Sequence, residues 1–140
     1  MIFMKKVLVG GVFSIIHPGN IYFLKRAKKF GDYLIVVIAN DKNVLRQKGY
    51  VISNQNERKE IVSSLSVVDK VVIGDENDYF KIVEKEKPDV IVLGYDQKID
   101  KNVMKKRKIR CKIVRIRDKF KNYSTKTINC GERSPRNSGS

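Results

Sequence analysis

The chain is 140 residues long and carries 30 Lys+Arg against 15 Asp+Glu, a formal net charge of +15. That length fits one compact domain, and 41% hydrophobic with 9% aromatic residues supply a core, which excludes wholesale disorder. The excess charge is uneven: residues 1–100 carry a net +3 and residues 101–140 a net +12. Such asymmetry points to a nucleic-acid arm, a membrane-surface patch or a site for a polyanionic small molecule.

Residues 7–9 form a first buried strand, followed by a Gly10-Gly11 loop. Ahead of it, Met4-Lys5-Lys6 and the apolar run 7–16 imitate a signal peptide. No small-residue cleavage site follows; His17-Pro18-Gly19-Asn20 and a charged amphipathic stretch stand there instead. Pro18, a good first-turn residue, opens a helix with Ile21, Leu24 and Ala27 apolar that ends near Gly31. Residues 34–39 are continuously apolar, as a strand covered on both faces should be, and too short to cross a bilayer. Residues 40–54 read as a long polar connection and therefore as a functional loop.

A second helix is expected over 55–65, with Ile61, Val62 and Leu65 as its core side, then a short strand at 70–73. Asp78 caps a helix to about Glu86, which Pro88 stops. A fourth strand at 90–93, a short basic helix at 101–108 and a fifth strand at 113–116 complete the pattern. Strands alternating with helices define an α/β fold, a Rossmann-like, doubly wound, five-stranded parallel sheet. The expected domain spans 1–130, with a flexible polar tail at 131–140. Cys111 and Cys130 with one histidine fall short of a disulfide framework or a structural zinc set, which points to a reducing, cytoplasmic compartment.

In open α/β sheets ligands bind beyond the carboxyl ends of the strands. Gly10 and Gly11 there let backbone N–H groups approach a ligand, and the helix start at Pro18 aims unpaired N–H groups and the positive dipole end at the same spot, favouring phosphate. Neither a P-loop nor GxGxxG is present. His17 sits at that mouth as a structural turn residue or a catalytic one. Lys48 and Arg46 read as a solvated loop or as phosphate contacts, and Ser124-Thr125 as a plain N-cap or a phosphate element. Arg58, against the dipole preference at a helix start, reads as reaching for phosphate.

These segments resemble the HxGH nucleotidyltransferases, the cytidylyltransferase-like group that includes glycerol-3-phosphate cytidylyltransferase and archaeal FAD synthase. The likeness runs to about Ile128 and rests on Gly11-Val12-Phe13-Ser14, His17-Pro18-Gly19-Asn20, Ala39-Asn40-Asp41, Lys48-Gly49, Glu57-Arg58, Gly94-Tyr95-Asp96-Gln97-Lys98 and Tyr123-Ser124-Thr125. The GYDQK stretch most resembles the archaeal FAD synthases. The resemblance implies a phosphorylated acceptor attacking the α-phosphate of ATP or CTP with release of pyrophosphate. FMN to FAD is the leading reaction, with glycerol 3-phosphate and sugar phosphates as other acceptors. It implies His17, Asn20 and Lys48 as catalytic residues. Nucleotide binding falls to Gly11, Val12, Phe13, His17, Gly19, Asn20, Gly94, Tyr95, Asp96, Ser124 and Thr125, and phosphate or acceptor contact to Ser14, Arg46, Arg58 and Gln97. A magnesium or other divalent ion would share the phosphate charge, without an assigned protein ligand, and a homodimer is implied.

Three positions depart from the family pattern: Val12 stands for Thr, Ser14 for Asp and Asn20 for the second His. Asn still donates a hydrogen bond but cannot become cationic or transfer a proton, so a catalytically weakened, nucleotide-binding relative is one alternative. The other is a nucleic-acid-binding module built on Lys101, Lys105, Lys106, Arg107, Lys108, Arg110, Lys112, Arg115 and Arg117, although no nucleic-acid motif accompanies them.

Overall fold

The computed structural model describes residues 4–117. In chain order these form β1 (Lys6–Gly11), α1 (Pro18–Lys28), β2 (Tyr33–Ile38), α2 (Asp41–Lys48), α3 (Gln55–Ser63), β3 (Lys70–Ile73), α4 (Tyr79–Glu86), β4 (Val90–Leu93), α5 (Lys101–Lys106) and β5 (Lys112–Arg115). The strands pair in parallel in the order β3-β2-β1-β4-β5, the doubly wound sheet expected from the sequence.

Successive strand residues point to opposite faces, which splits the core in two. Val7, Val9, Leu34, Val36, Ile38, Val90 and Val92 pack with Leu24 and Ala27 of α1 and Val62 of α3. Leu8, Ile35, Val37, Ile91 and Leu93 face the other way, against Phe80 and Val83 of α4 and Met104 of α5. Both faces of the sheet are thus covered, which is why its central strands are apolar without interruption.

Several expectations change. Gly10 and Gly11 are not a loop: β1 continues through them, in register with Val37 and Ile38 of β2. The connection 40–54 is not a bare loop, because Asn40 caps α2 by accepting from the Asn43 N–H (2.9 Å) and Gly49, at φ 83°, ends it. Both cap signals stand in the sequence; too few apolar residues hid the helix between them. Ile61 is 48% exposed, since the buried stripe of α3 runs through Arg58 and Val62, one turn apart on one face. Helices α3 and α5 are shorter than expected, and β5 begins one residue earlier. The tail 131–140 lies outside the described residues, among which no helix is long and apolar enough to cross a membrane.

Gly31 lets the α1–β2 turn cross the start of β1. The N–H groups of Asp32 and Tyr33 donate to the Lys5 carbonyl (2.8 and 3.1 Å), and a Cβ on Gly31 would lie 2.6 Å from that oxygen and 2.7 Å from Val7 Cγ2. Backbone cannot yield as a side-chain tip does, so Gly31→Ala is expected to cost about 1–3 kcal/mol, measured as a lowered urea midpoint with an unchanged m-value.

Candidate active site at the sheet switch point

The chain leaves β1 towards β2 on one side and reaches β4 on the other, and a crevice opens where the winding reverses. Only Val7↔Val90 and Leu8↔Ile91 pair β1 with β4. Beyond them the Gln97 side chain spans the gap: its Nε2 donates to the Gly10 carbonyl and its Oε1 accepts from the Gly94 N–H, both at 2.8 Å. Arg115 of β5 holds the same turn from outside, with Nη1 donating to the carbonyls of Gly94 (2.8 Å) and Gln97 (2.6 Å). The segment 94–97 is therefore a braced wall of the crevice, with Tyr95 and Asp96 exposed along it.

The chain that leaves β1 runs into the start of α1. His17 is its N-cap, 7% exposed, and its Nδ1 accepts from the Gly19 N–H (3.1 Å). Asn20 completes a capping box, its Oδ1 accepting from the His17 N–H (3.1 Å). Two chemical states follow. With Nδ1 acting as acceptor, the neutral ring carries its proton on Nε2 and is a donor there. With Oδ1 of Asn20 engaged, what Asn20 offers a ligand is its Nδ2 amide. Both lie at a helix N-terminus, where N–H groups and the dipole favour anions.

Burial holds the His17 pKa below its ordinary 6.5. Between the folded value and 6.5 the unfolded chain binds more protons than the folded one. The stability His17 contributes is therefore complete above 6.5 and drains away as pH falls below it. The urea midpoint of the wild type is expected to drop further from about pH 7.5 to about pH 5.5 than that of a His17→Asn variant, which has no proton to take up in that window. Equal drops would show that His17 is not the group titrating.

Between β1 and α1, Phe13 has a left-handed backbone (φ 54°), uncommon for a bulky residue and costing of order 1–3 kcal/mol. Gly11 permits it, because a Cβ there would come 2.8 Å from the Phe13 ring. That ring packs against the core on the α1 side, so Phe13 shapes the loop from within. Arg58 fixes the same loop. Only 1% exposed, it donates to the carbonyls of Val12 (2.9 Å), Ala39 (2.8 Å) and Ser53 (2.9 Å) and to Asp41 Oδ1 (2.6 Å). Ser53 Oγ in turn donates to the Ser14 carbonyl (3.3 Å). The expectation that Arg58 contacts phosphate is corrected: its donors are spent inside the protein, tying the ends of β1 and β2 to the start of α3.

A cavity of about 550 Å³ opens on the α4 side of these strand ends. Its floor is apolar, formed by Val37, Leu93, Phe80 and Ile99 with Gly10, and Tyr79 stands on its wall. Polar groups, among them Asn43, Arg46, Asp75 and Lys98, ring it. Of the expected site residues, Gly11, Val12, Arg46 and Gln97 line this cavity. His17, Gly19 and Asn20 stand at the α1 start and Gly94, Tyr95 and Asp96 directly after β4, outside that lining. Lys48 also lies outside it, exposed at the end of α2, whereas Arg46 lies on it with Nη1 donating to Asn43 Oδ1 (2.9 Å). Ser124, Thr125 and Cys130 lie outside the described residues. Cys111 is a half-buried thiol that burial pushes above its ordinary pKa.

The sequence reading missed Tyr79, Asn43 and Asp75 as cavity residues. The available signal was position, since Asn43 and Asp75 follow strand ends. The basic stretch also reads differently in three dimensions. Arg115 is committed to the 94–97 turn, and Arg107 is held by Asp78 (2.7 Å) and Glu84 (2.5 Å), so two of its nine cations serve the fold. Among the described residues no three His, Cys, Asp or Glu side chains converge as a metal site.

A five-stranded, doubly wound parallel sheet with a capped helix start after β1 and a braced turn after β4, on either side of its switch point, defines a Rossmann-like domain of the nucleotidyltransferase type. Residues 8–132 match the cytidylyltransferase-like family model, and the chain belongs to that family. The FAD synthase of Ferroglobus placidus is 49% identical over 120 residues, covering 83% of this chain and 78% of that protein. The crystal structure of a lipopolysaccharide core biosynthesis protein from Thermoplasma volcanium superposes with a TM-score of 0.78 at 44% identity, covering 84% of this chain and 99% of the other. A pantoate-beta-alanine ligase from Francisella tularensis, complexed with beta-gamma ATP and beta-alanine, shares the fold (TM-score 0.56, 19% identity, 90% of this chain and 68% of that one).

Proposed function

We propose that this protein is an FAD synthase: a phosphate oxygen of FMN attacks the α-phosphorus of ATP, the bond from that phosphorus to the bridging oxygen breaks, and FAD and pyrophosphate form. Its similarity to archaeal FAD synthases at 46–49% identity supports the reaction. The observation that carries the choice of acceptor is the apolar-floored cavity of about 550 Å³ at the ends of β1, β2 and β4. A fused heteroaromatic ring gains by burying its faces there, whereas glycerol phosphate has almost no apolar surface to bury.

No covalent intermediate is needed, so catalysis rests on positioning and charge stabilisation. His17 Nε2–H, Asn20 Nδ2 and the first N–H groups of α1 donate to the triphosphate and stabilise the charge that develops on the departing pyrophosphate. The 94–97 turn holds the nucleotide's base and ribose. Arg46, from the cavity rim, reaches for the acceptor phosphate, the role Lys48 was expected to share. A divalent cation enters with the triphosphate as part of the substrate and shields its charge; Ser14, without a carboxylate, gives this chain no acidic ligand at that position. The chain's net charge of +15 draws both anionic substrates towards the protein.

Pyrophosphate release with magnesium, measured for FMN, glycerol 3-phosphate and a sugar phosphate against ATP and CTP, tests this reading. FMN with ATP is expected to be the productive pair. Nucleotide binding without turnover of any pair would establish the weakened, binding-only alternative.

A further inference from the structure

Tyr79 is the residue on the cavity wall whose placement the fold itself does not require. It opens α4 directly after the Asp78 cap, and its side chain is 40% exposed although it borders a cavity floored by core residues. It is also packed against a buried neighbour. Its ring meets Phe80 edge to face, centroids 5.3 Å apart at 84°, and Phe80 is buried with the Arg107 guanidinium 5.8 Å from its centroid. Arg107 is itself locked to Asp78 and Glu84. Gly10 lies beside it: a Cβ there would stand in ordinary contact with Tyr79 Cε1 at 3.9 Å, so the ring edge packs close over the end of β1.

We propose that Tyr79 is the specificity-determining residue of the acceptor site, presenting a pre-oriented aromatic face against which the flat ring of the acceptor stacks. This rests on the FMN reading and deepens it. A ring already fixed by its neighbours loses little side-chain entropy on binding, and offset stacking adds to plain area burial. A small polyol phosphate has no face to offer and gains nothing from Tyr79, so the residue discriminates by what the acceptor is rather than by where its phosphate sits.

The test uses the full chain and three proteins: wild type, Tyr79→Phe, which keeps the face, and Tyr79→Leu, which keeps apolar bulk without it. Two readouts are taken, steady-state kinetics with FMN and ATP, and quenching of FMN emission on binding, which an electron-rich ring such as tyrosine produces when it stacks on the flavin. Wild type and Tyr79→Phe are expected to share the same KM for FMN, whereas the phenylalanine, too poor an electron donor to the excited flavin, quenches less. Tyr79→Leu is expected to raise KM for FMN about tenfold, with KM for ATP and kcat close to wild type and with weaker quenching of the bound flavin. A wild-type KM for FMN in Tyr79→Leu, or undiminished quenching of its bound FMN, overturns the proposal while leaving FAD synthesis standing. FMN bound and quenched by wild type without turnover sinks FAD synthesis and leaves the stacking intact. No binding of FMN to wild type sinks both.

Discussion

Replacing His17 by asparagine is expected to leave the thermal midpoint close to that of the wild type while cutting pyrophosphate release about a hundred- to a thousandfold, the loss typical of a transition-state donor. The separation follows from the two nitrogens having different tasks. Nδ1 accepts the Gly19 N–H and caps α1; asparagine is among the best N-caps, and its Oδ1 occupies nearly the same place. Nε2–H is the donor proposed for the phosphates, and asparagine is too short to supply it. His17→Ala removes both and is expected to lose about 1 kcal/mol of stability as well. Urea unfolding beside single-turnover rates separates the two effects. Should His17→Asn retain full activity, His17 would be a cap and nothing more.

Arg58→Met is expected to destabilise the fold by about 3 kcal/mol, because removing a buried guanidinium orphans the carbonyls it bonds. The carbonyls of Val12, Ala39 and Ser53 lose their donor, and Asp41 loses its counter-charge. Arg58→Lys keeps a charge for Asp41, yet a single ammonium cannot match the guanidinium fork across four acceptors, so an intermediate loss is expected. Since Arg58 touches the loop ahead of His17, the lysine variant is also expected to lower kcat at unchanged fold content by circular dichroism. A stability cost near zero in Arg58→Met would mean that water replaces the arginine in the loop.

Asn20 also takes on a different meaning in three dimensions. From the sequence it is a lost histidine; in the structure its Oδ1 closes the capping box on His17, which orients the very residue expected to do the chemistry. The substitution therefore keeps a positioning function while changing the donor.

The strands and most helix starts were legible because the forces that mark them are local. β-branched runs, a cap and the N–H it binds, or a proline after a helix all act within about four residues. The resemblance in the 11–20 and 94–98 segments was legible for the same reason, since each is a short contiguous run. Helix α2 escaped because its stability comes from caps and from one buried residue, Val44, rather than from a broad apolar stripe.

What the sequence by itself determined was the alternation of elements, the family likeness and the residues at the α1 start. Only the tertiary structure decided that Arg58 looks inward, that Gln97 stitches β4 to β1, and that Tyr79 walls a cavity. Arg58 reaches partners 17, 19 and 46 residues away and Gln97 one 87 away. A polar side chain's neighbours in sequence fix its local backbone but carry little information about which distant carbonyl will need its hydrogen bond once the sheet has closed.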